Sequence, residues 1–184
     1  MERLGVTYST RYSSTESGGV GLSVDWHPGE TVVDAIGTPR PGVRAELRNT
    51  DGRSKVKVGE VGELWISSPA VFDGYLGDPD ATAAVLVDGW WRSGDLGVVE
   101  DGRVRLAGRS KEMYVRGGYN VYPGEVEAVL RDHPDVLDVG IAPRSDPVMG
   151  EIGVAVVVPQ PAAAPPTLDV LRTFPAPRLA RWKL

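Results

Sequence analysis

Between Val33 and Leu106 the apolar positions come in short runs, cut by glycine and aspartate at intervals too close for helices. Asp51-Gly52, Asp88-Gly89 and Asp101-Gly102 each suit a tight turn with positive φ. Around the third pair, Gly97-Val98-Val99 and Arg103-Val104-Arg105-Leu106 read as strand, turn and strand. Glu63-Leu64-Trp65-Ile66-Ser67 alternates polar and apolar, which predicts a half-buried strand. One helix interrupts this β-rich stretch: Asp78 caps it, Pro79 takes the first position, and Asp80 to Leu86 are good helix formers.

After Arg109 the period changes from two to helical spacing. Pro123 to Asp132 puts Val126, Val129 and Leu130 on one face, with Glu125 and Glu127 near the amino end, where the helix dipole favours them. Val136 to Ala142 and Ile152 to Val158 are β-branched runs separated by the polar segment Pro143 to Glu151, so two strands joined by a loop follow. Pro159 to Pro166 is a proline-rich linker. Thr167 then caps a helix from Leu168, which Pro175 and Pro177 must end or kink. The chain stops soon afterwards and reads as cut rather than finished. No internal repeat is present. The fold class expected is α+β, with a β-rich part over 1–109 and a separate small α+β part over 110–184.

Composition narrows the function classes. The 184 residues, 41% of them hydrophobic, suffice for one ordinary core or a small domain beside part of another. Net charge is −5 and the basic residues are scattered, which leaves no electrostatic footprint for nucleic acid or an anionic membrane. There is no cysteine, hence no disulfide, thiolate nucleophile or cysteine metal site. No apolar run approaches the ~20 residues of a membrane span, and Met1 to Tyr12 lacks a signal-peptide core. These features make the cytoplasm the default location and small molecules or proteins the default partners.

Three segments carry candidate chemistry. Tyr12 to Glu16 offers an aromatic ring, small residues, hydroxyls and a carboxylate, suited to a base, a phosphate and a magnesium ion. Taken alone, such a stretch is more often a polar loop with one half-buried tyrosine. In Trp90-Trp91-Arg92-Ser93-Gly94-Asp95, an ionised aspartate can accept two hydrogen bonds from a vicinal diol such as a ribose, or merely cap a turn. Gly117-Gly118 admits a ligand close to the backbone, or is only a turn, while Arg109 and Lys111 would ordinarily form a solvated basic edge. His27 and His133 lack metal-ligand neighbours and read as structural or exposed.

Taken together, Arg11-Tyr12-Ser13-Ser14-Thr15-Glu16-Ser17-Gly18-Gly19, Trp91-Arg92-Ser93-Gly94-Asp95 and Gly108-Arg109-Ser110-Lys111-Glu112-Met113 with Gly117-Gly118-Tyr119-Asn120-Val121-Tyr122-Pro123 resemble the adenylate-forming superfamily of acyl-CoA synthetases, adenylation domains and luciferases. Ile36-Gly37-Thr38-Pro39, Gly59 to Leu64, Phe72-Asp73-Gly74-Tyr75 and Val136 to Val139 extend the likeness over nearly the whole chain. The resemblance implies the β-rich end of the large domain, a distorted β-barrel subdomain, followed by the small mobile carboxy-terminal domain. It also implies ATP, Mg2+ and CoA. Tyr12 would stack on adenine, Thr15 would contact the nucleotide phosphate, Glu16 would hold magnesium, Asp95 would bind the ribose hydroxyls, and Arg109 would assist there. Lys111 would be the hinge, and Gly117 and Gly118 would lie along the CoA channel.

The wording around Gly117 is that of acid–CoA ligases rather than peptide-synthetase adenylation domains. Ser13 departs from the glycine many relatives carry. The family's phosphate loop is not among these residues, and the catalytic lysine is expected beyond Leu184, so Lys183 is not that lysine. The expectation is therefore an acyl-CoA ligase fragment, inactive alone. A non-catalytic nucleotide-binding module, or a peptide-synthetase adenylation fragment, is the alternative. Apolar surface exposed on the first part would favour self-association as a homodimer.

Overall fold

A computed structural model describes residues 6–27, 35–49, 51–52, 54–161 and 164–183, and the chain divides into two compact units, Met1–Ala107 and Gly108–Leu184. Val33, Ala162, Ala163 and Leu184, which bound or interrupt expected segments, lie outside the described residues. Among the described residues no helix is long and apolar enough to cross a membrane.

The first unit is built on β1 (Tyr8–Tyr12), β2 (Leu22–Trp26), β3 (Ala35–Pro39), β4 (Arg44–Arg48), β5 (Gly62–Ser67), β6 (Leu86–Val87), β7 (Trp90–Glu100) and β8 (Arg103–Arg109), whose last two residues already belong to the second unit. They form one sheet in the order β1-β2-β3-β8-β7-β5-β4, with β6 paired to β7. Helix α1 (Pro79–Val85) begins as expected, with the Asp78 carboxylate accepting the Ala81 N–H at 2.9 Å. Asp101-Gly102 closes the turn between β7 and β8 with φ of 48° and 73°, both positive as a two-residue hairpin turn requires.

The register of β4, β5 and β7 explains both faces of this sheet. Ala45 lies opposite Ile66, Leu47 opposite Leu64, and Ile66 opposite Trp91. Leu47, Leu64, Ile66 and Trp91 join Leu22 and Val104 in the core. The alternate positions put Arg44, Glu46 and Arg48 opposite Ser67, Trp65 and Glu63, and Trp65 opposite Arg92. There the guanidinium of Arg44 lies 5.0 Å from the Trp90 ring, that of Arg48 4.6 Å from Trp90 and 4.5 Å from Trp65, and that of Arg92 5.8 Å from Trp65. The result is a ladder of alternating cations and indoles. The half-buried strand expected at Glu63 to Ser67 is consequently buried on both faces. Long arginine stems and two indoles roof its polar side, a burial that alternation alone does not reveal.

The second unit contains β9 (Tyr114–Arg116), β10 (Tyr119–Val121), α2 (Pro123–Arg131), β11 (Val136–Asp146), β12 (Gly150–Pro159), α3 (Leu168–Thr173) and a 3-10 turn, Arg181–Lys183. Its strands run β10-β9-β12-β11. Val126 and Leu130 of α2 pack with Tyr114, Val121, Val136, Val139 and Leu179. The helix is pinned to β11 by polar contacts as well: Glu127 accepts the Ile141 N–H at 2.8 Å, and Arg131 donates to Asp138 and to the Val139 carbonyl, both at 3.1 Å. Thr167 caps α3 as expected.

The strands flanking the polar segment differ from expectation. They extend to Asp146 and from Gly150, so most of the loop expected over Pro143 to Glu151 is ladder. The reach is possible because these residues stand largely exposed, and strand pairing needs only backbone groups. Asp146 closes the remaining turn by accepting the N–H groups of Val148 and Met149 at 2.9 and 2.8 Å. These backbone bonds, Met149 first, hold its carboxyl below the usual range. His133 is buried, accepts the Asp135 N–H at 3.1 Å and meets the Phe174 ring edge-on at 4.7 Å, a packing role.

Candidate functional site

In the first unit, two candidate residues separated by 83 positions meet. The Tyr12 hydroxyl, at the end of β1, donates to Asp95 Oδ2 on β7 at 2.5 Å. Tyr12 packs its ring against the core cluster, so the phenol is aimed from a fixed base. Asp95 is aimed by an irregularity in its strand. Glu63 and Trp65, two steps apart on β5, face Leu96 and Arg92, four steps apart on β7, so β7 bulges through Ser93, Gly94 and Asp95. The bulge is tied down: Ser93 Oγ donates to the Leu64 carbonyl at 2.7 Å and accepts the Asp95 N–H at 3.0 Å. Bulges of this kind re-aim side chains out of a regular pleat.

The segment after Tyr12 folds into a compact turn. Ser14 and Ser17 bond reciprocally, each N–H donating to the other's hydroxyl at 3.0 and 3.1 Å, and Ser17 is fully buried. Gly18 has φ +66°, and a Cβ there would lie 2.1 Å from the Ala70 carbonyl oxygen, so only glycine fits. Thr15 is exposed and Glu16 half-buried on this turn.

Glu16 is held by Tyr75, which lies in a segment that carries the family likeness but to which sequence reading assigned no role. The Tyr75 hydroxyl donates to Glu16 Oε1 at 3.0 Å, and the Phe72 N–H donates to the Glu16 carbonyl at 2.9 Å. Tyr75 is itself anchored on α1, its N–H donating to Thr82 Oγ1 at 2.9 Å while Thr82 donates to the Asp78 carbonyl at 2.8 Å. The Glu16 carboxyl is lowered from its ordinary value, chiefly by its own backbone N–H; burial opposes this, and the Tyr75 and Ser14 hydroxyls reinforce it. The Tyr75 phenol is raised, by loss of water first and the Glu16 carboxylate second. Among the described residues no group of three or more His, Cys, Asp or Glu could hold a metal by protein ligands alone. A single carboxylate working with phosphate oxygens does fit Mg2+, which takes few protein ligands at nucleotides.

In the second unit, Arg109 ends β8 and is exposed, and its carbonyl accepts the N–H groups of Glu112 and Met113 at 3.1 and 3.2 Å. Lys111 is exposed within that turn. Gly117 and Gly118 form the two-residue turn between β9 and β10, exposed, with φ of 58° and 85°. Nothing lies within 4 Å of where a Gly118 Cβ would stand, while one on Gly117 would meet Met149 Cε at 2.7 Å. The Gly117 N–H donates to the Met149 carbonyl at 2.8 Å.

Comparisons with known proteins agree with one another. A family profile described as AMP-binding enzyme matches residues 1–76, and one described as AMP-binding enzyme C-terminal domain matches residues 125–184. A fatty acid–[acyl-carrier-protein] ligase of Streptomyces coeruleorubidus is 40% identical over 177 residues, 94% of this chain and 34% of the relative. An indoleacetate–CoA ligase of Aromatoleum aromaticum is 36% identical over 185 residues, 100% of this chain and 36% of the relative. The crystal structure of ATP-bound MatB from Rhodopseudomonas palustris superposes with a TM-score of 0.85 at 30% identity, covering 96% of this chain and 35% of that one. The chain thus spans about a third of the length of these relatives.

Proposed function

Because this chain belongs to the adenylate-forming AMP-binding enzymes, we propose that it is the carboxy-terminal part of an ATP-dependent acid–CoA ligase, carrying the ribose- and thiol-handling groups. The observation that carries the reading is the meeting of Tyr12 with Asp95, which gives a ring and a diol-binding carboxylate a common orientation. Asp95 would accept from the ribose hydroxyls, Tyr12 would face adenine, Thr15 would contact phosphate, and Arg109 would assist at the ribose. Glu16 would hold magnesium, which when bound offsets charge on the phosphates.

The whole reaction has two steps. A carboxylate oxygen attacks the α-phosphorus of ATP and pyrophosphate leaves; the thiol sulfur then attacks the acyl carbon, AMP leaves with the shared oxygen, and the thiol proton passes to solvent. Between the steps the second unit would turn at Lys111 and bring Gly117-Gly118 to the acyl group. The similarity to an acyl-carrier-protein ligase supports a second acceptor, a carrier-bound pantetheine, at the same turn. The 184-residue chain alone is expected to make no thioester.

AMP titrated into the chain should perturb the Tyr12, Thr15 and Asp95 amide resonances, and an unchanged spectrum at millimolar AMP would remove the nucleotide reading. The acceptor is tested in a chain extended to the relatives' length. Gly118→Leu should preserve pyrophosphate release but cut thioester formation about a hundredfold, since obstruction on the scale of 1 Å is that costly. Gly118→Ala, which shares the positive-φ strain but not the bulk, should keep most of both. Equal loss of both half-reactions in the Leu variant would mean the turn does not admit the thiol.

A further inference from the structure

The Gly117-Gly118 turn is gripped from beyond its own hairpin. Arg116 and Tyr119, the paired residues on either side of it, both contact Trp182 of the 3-10 turn. Arg116 Nη1 donates to the Trp182 carbonyl at 2.7 Å, and the Tyr119 ring stacks on the Trp182 indole with centroids 4.8 Å apart and planes at 22°. The 3-10 turn is anchored in its own right: Lys183 Nζ donates to both oxygens of Glu125, in the first turn of α2, at 2.7 and 2.6 Å, with the lysine side chain 16% exposed. On the other side, Met149 accepts the Gly117 N–H.

We infer that Trp182 is a positioning residue for the Gly117-Gly118 turn, clamping both of its flanks to α2 through Lys183. Two consecutive glycines at positive φ have more conformational freedom than any other pair, and a hairpin of two three-residue strands ending in them has no side chain of its own to hold the tip. Tyr119 is 54% exposed and Trp182 41% exposed, so their stack adds little to the core and its consequence is local. The inference deepens the acceptor reading above and rests on it only for the identity of what the turn admits. A tip held this way presents one backbone geometry to a pantetheine arm; a loose tip presents many, and an ångström of misplacement is enough to lose most of the rate.

The test uses the 184-residue chain with CoA as the probe. In Trp182→Ala, heteronuclear NOE values at Gly117 and Gly118 should fall to those of a mobile loop while β11 and β12 keep theirs, and Trp182→Phe, which retains a stacking ring, should restore them. CoA should shift the Gly117 and Gly118 amides of the native chain, with about tenfold weaker affinity in Trp182→Ala, while AMP shifts at Tyr12 and Asp95 stay the same. Unchanged order at the two glycines in Trp182→Ala overturns the clamp. Order lost with CoA affinity unaltered overturns its role in presenting the turn. Order lost while CoA shifts nothing even in the native chain upholds the clamp and overturns the acceptor reading. Should Trp182→Ala fail to fold, Lys183→Met, which cuts the anchor and leaves the indole, is read in the same way, and retained order there overturns the clamp.

Discussion

Arg92→Ala should destabilise the first unit by about 3 kcal/mol, the largest loss expected from any surface-reaching side chain in it. Glu63 is 1% exposed on β5, between β4 and β7, and Arg92 Nε donates to its Oε2 at 2.9 Å. Removing the guanidinium leaves a buried carboxylate without its cationic partner, a cost above that of losing a fully exposed ion pair. It also removes the end of the cation–indole ladder over Trp65. The urea midpoint followed by far-ultraviolet circular dichroism measures the loss, and Arg92→Ala combined with Glu63→Gln should recover more than half of it. A double variant no more stable than Arg92→Ala would place the damage in lost packing and not in the stranded charge.

Asp95→Ala should weaken AMP binding by tenfold to a hundredfold, as expected for a charged acceptor worth about 1.5–3 kcal/mol. Tyr12→Phe keeps the ring and loses only the phenol that orients Asp95, so its effect should be smaller, about threefold. In Asp95→Ala the Tyr12 hydroxyl has nothing left to orient, so adding Tyr12→Phe should leave affinity at that of Asp95→Ala alone. Calorimetric titration of the four proteins with AMP closes the cycle. Additive losses would show that the tyrosine hydroxyl acts on the nucleotide directly.

What the chain discloses by reading differs sharply with sequence distance. The start of α1 is legible because a cap, a proline and the helix formers are adjacent, and each acts within four residues of itself. The Asp101-Gly102 turn is legible for the same reason. The ends of β11 and β12 are not, since pairing across a hairpin carries polar residues as readily as apolar ones once the ladder is started. The candidate site shows the same division. The segments containing Tyr12, Glu16, Asp95 and Gly117-Gly118 stand out by wording, but the contacts that orient them join residues far apart: Tyr12 with Asp95, Tyr75 with Glu16, Trp182 with Tyr119. The wording around Tyr75 extends the family likeness, but nothing periodic or local assigns a role to Tyr75 or Trp182. Only the folded sheet says that one tyrosine serves the carboxylate and that one indole serves the turn.

The cation–indole ladder has an optical consequence. Four of the five tryptophans, Trp26, Trp65, Trp90 and Trp91, belong to the first unit, and Trp182 is the single indole of the second. The Trp65 ring is buried, flanked by Arg48 and Arg92, and its Nε1–H makes no hydrogen bond. An excited indole that neither donates a proton bond nor meets relaxing water emits at short wavelength, whereas a ring stacked near solvent, as Trp182 is, emits further to the red. The fluorescence spectrum is therefore a composite whose blue edge reports the buried indoles of the sheet and whose red edge reports the clamp, and acrylamide, reaching Trp182 more readily than half-buried Trp90 and the buried rings, should quench the red edge first.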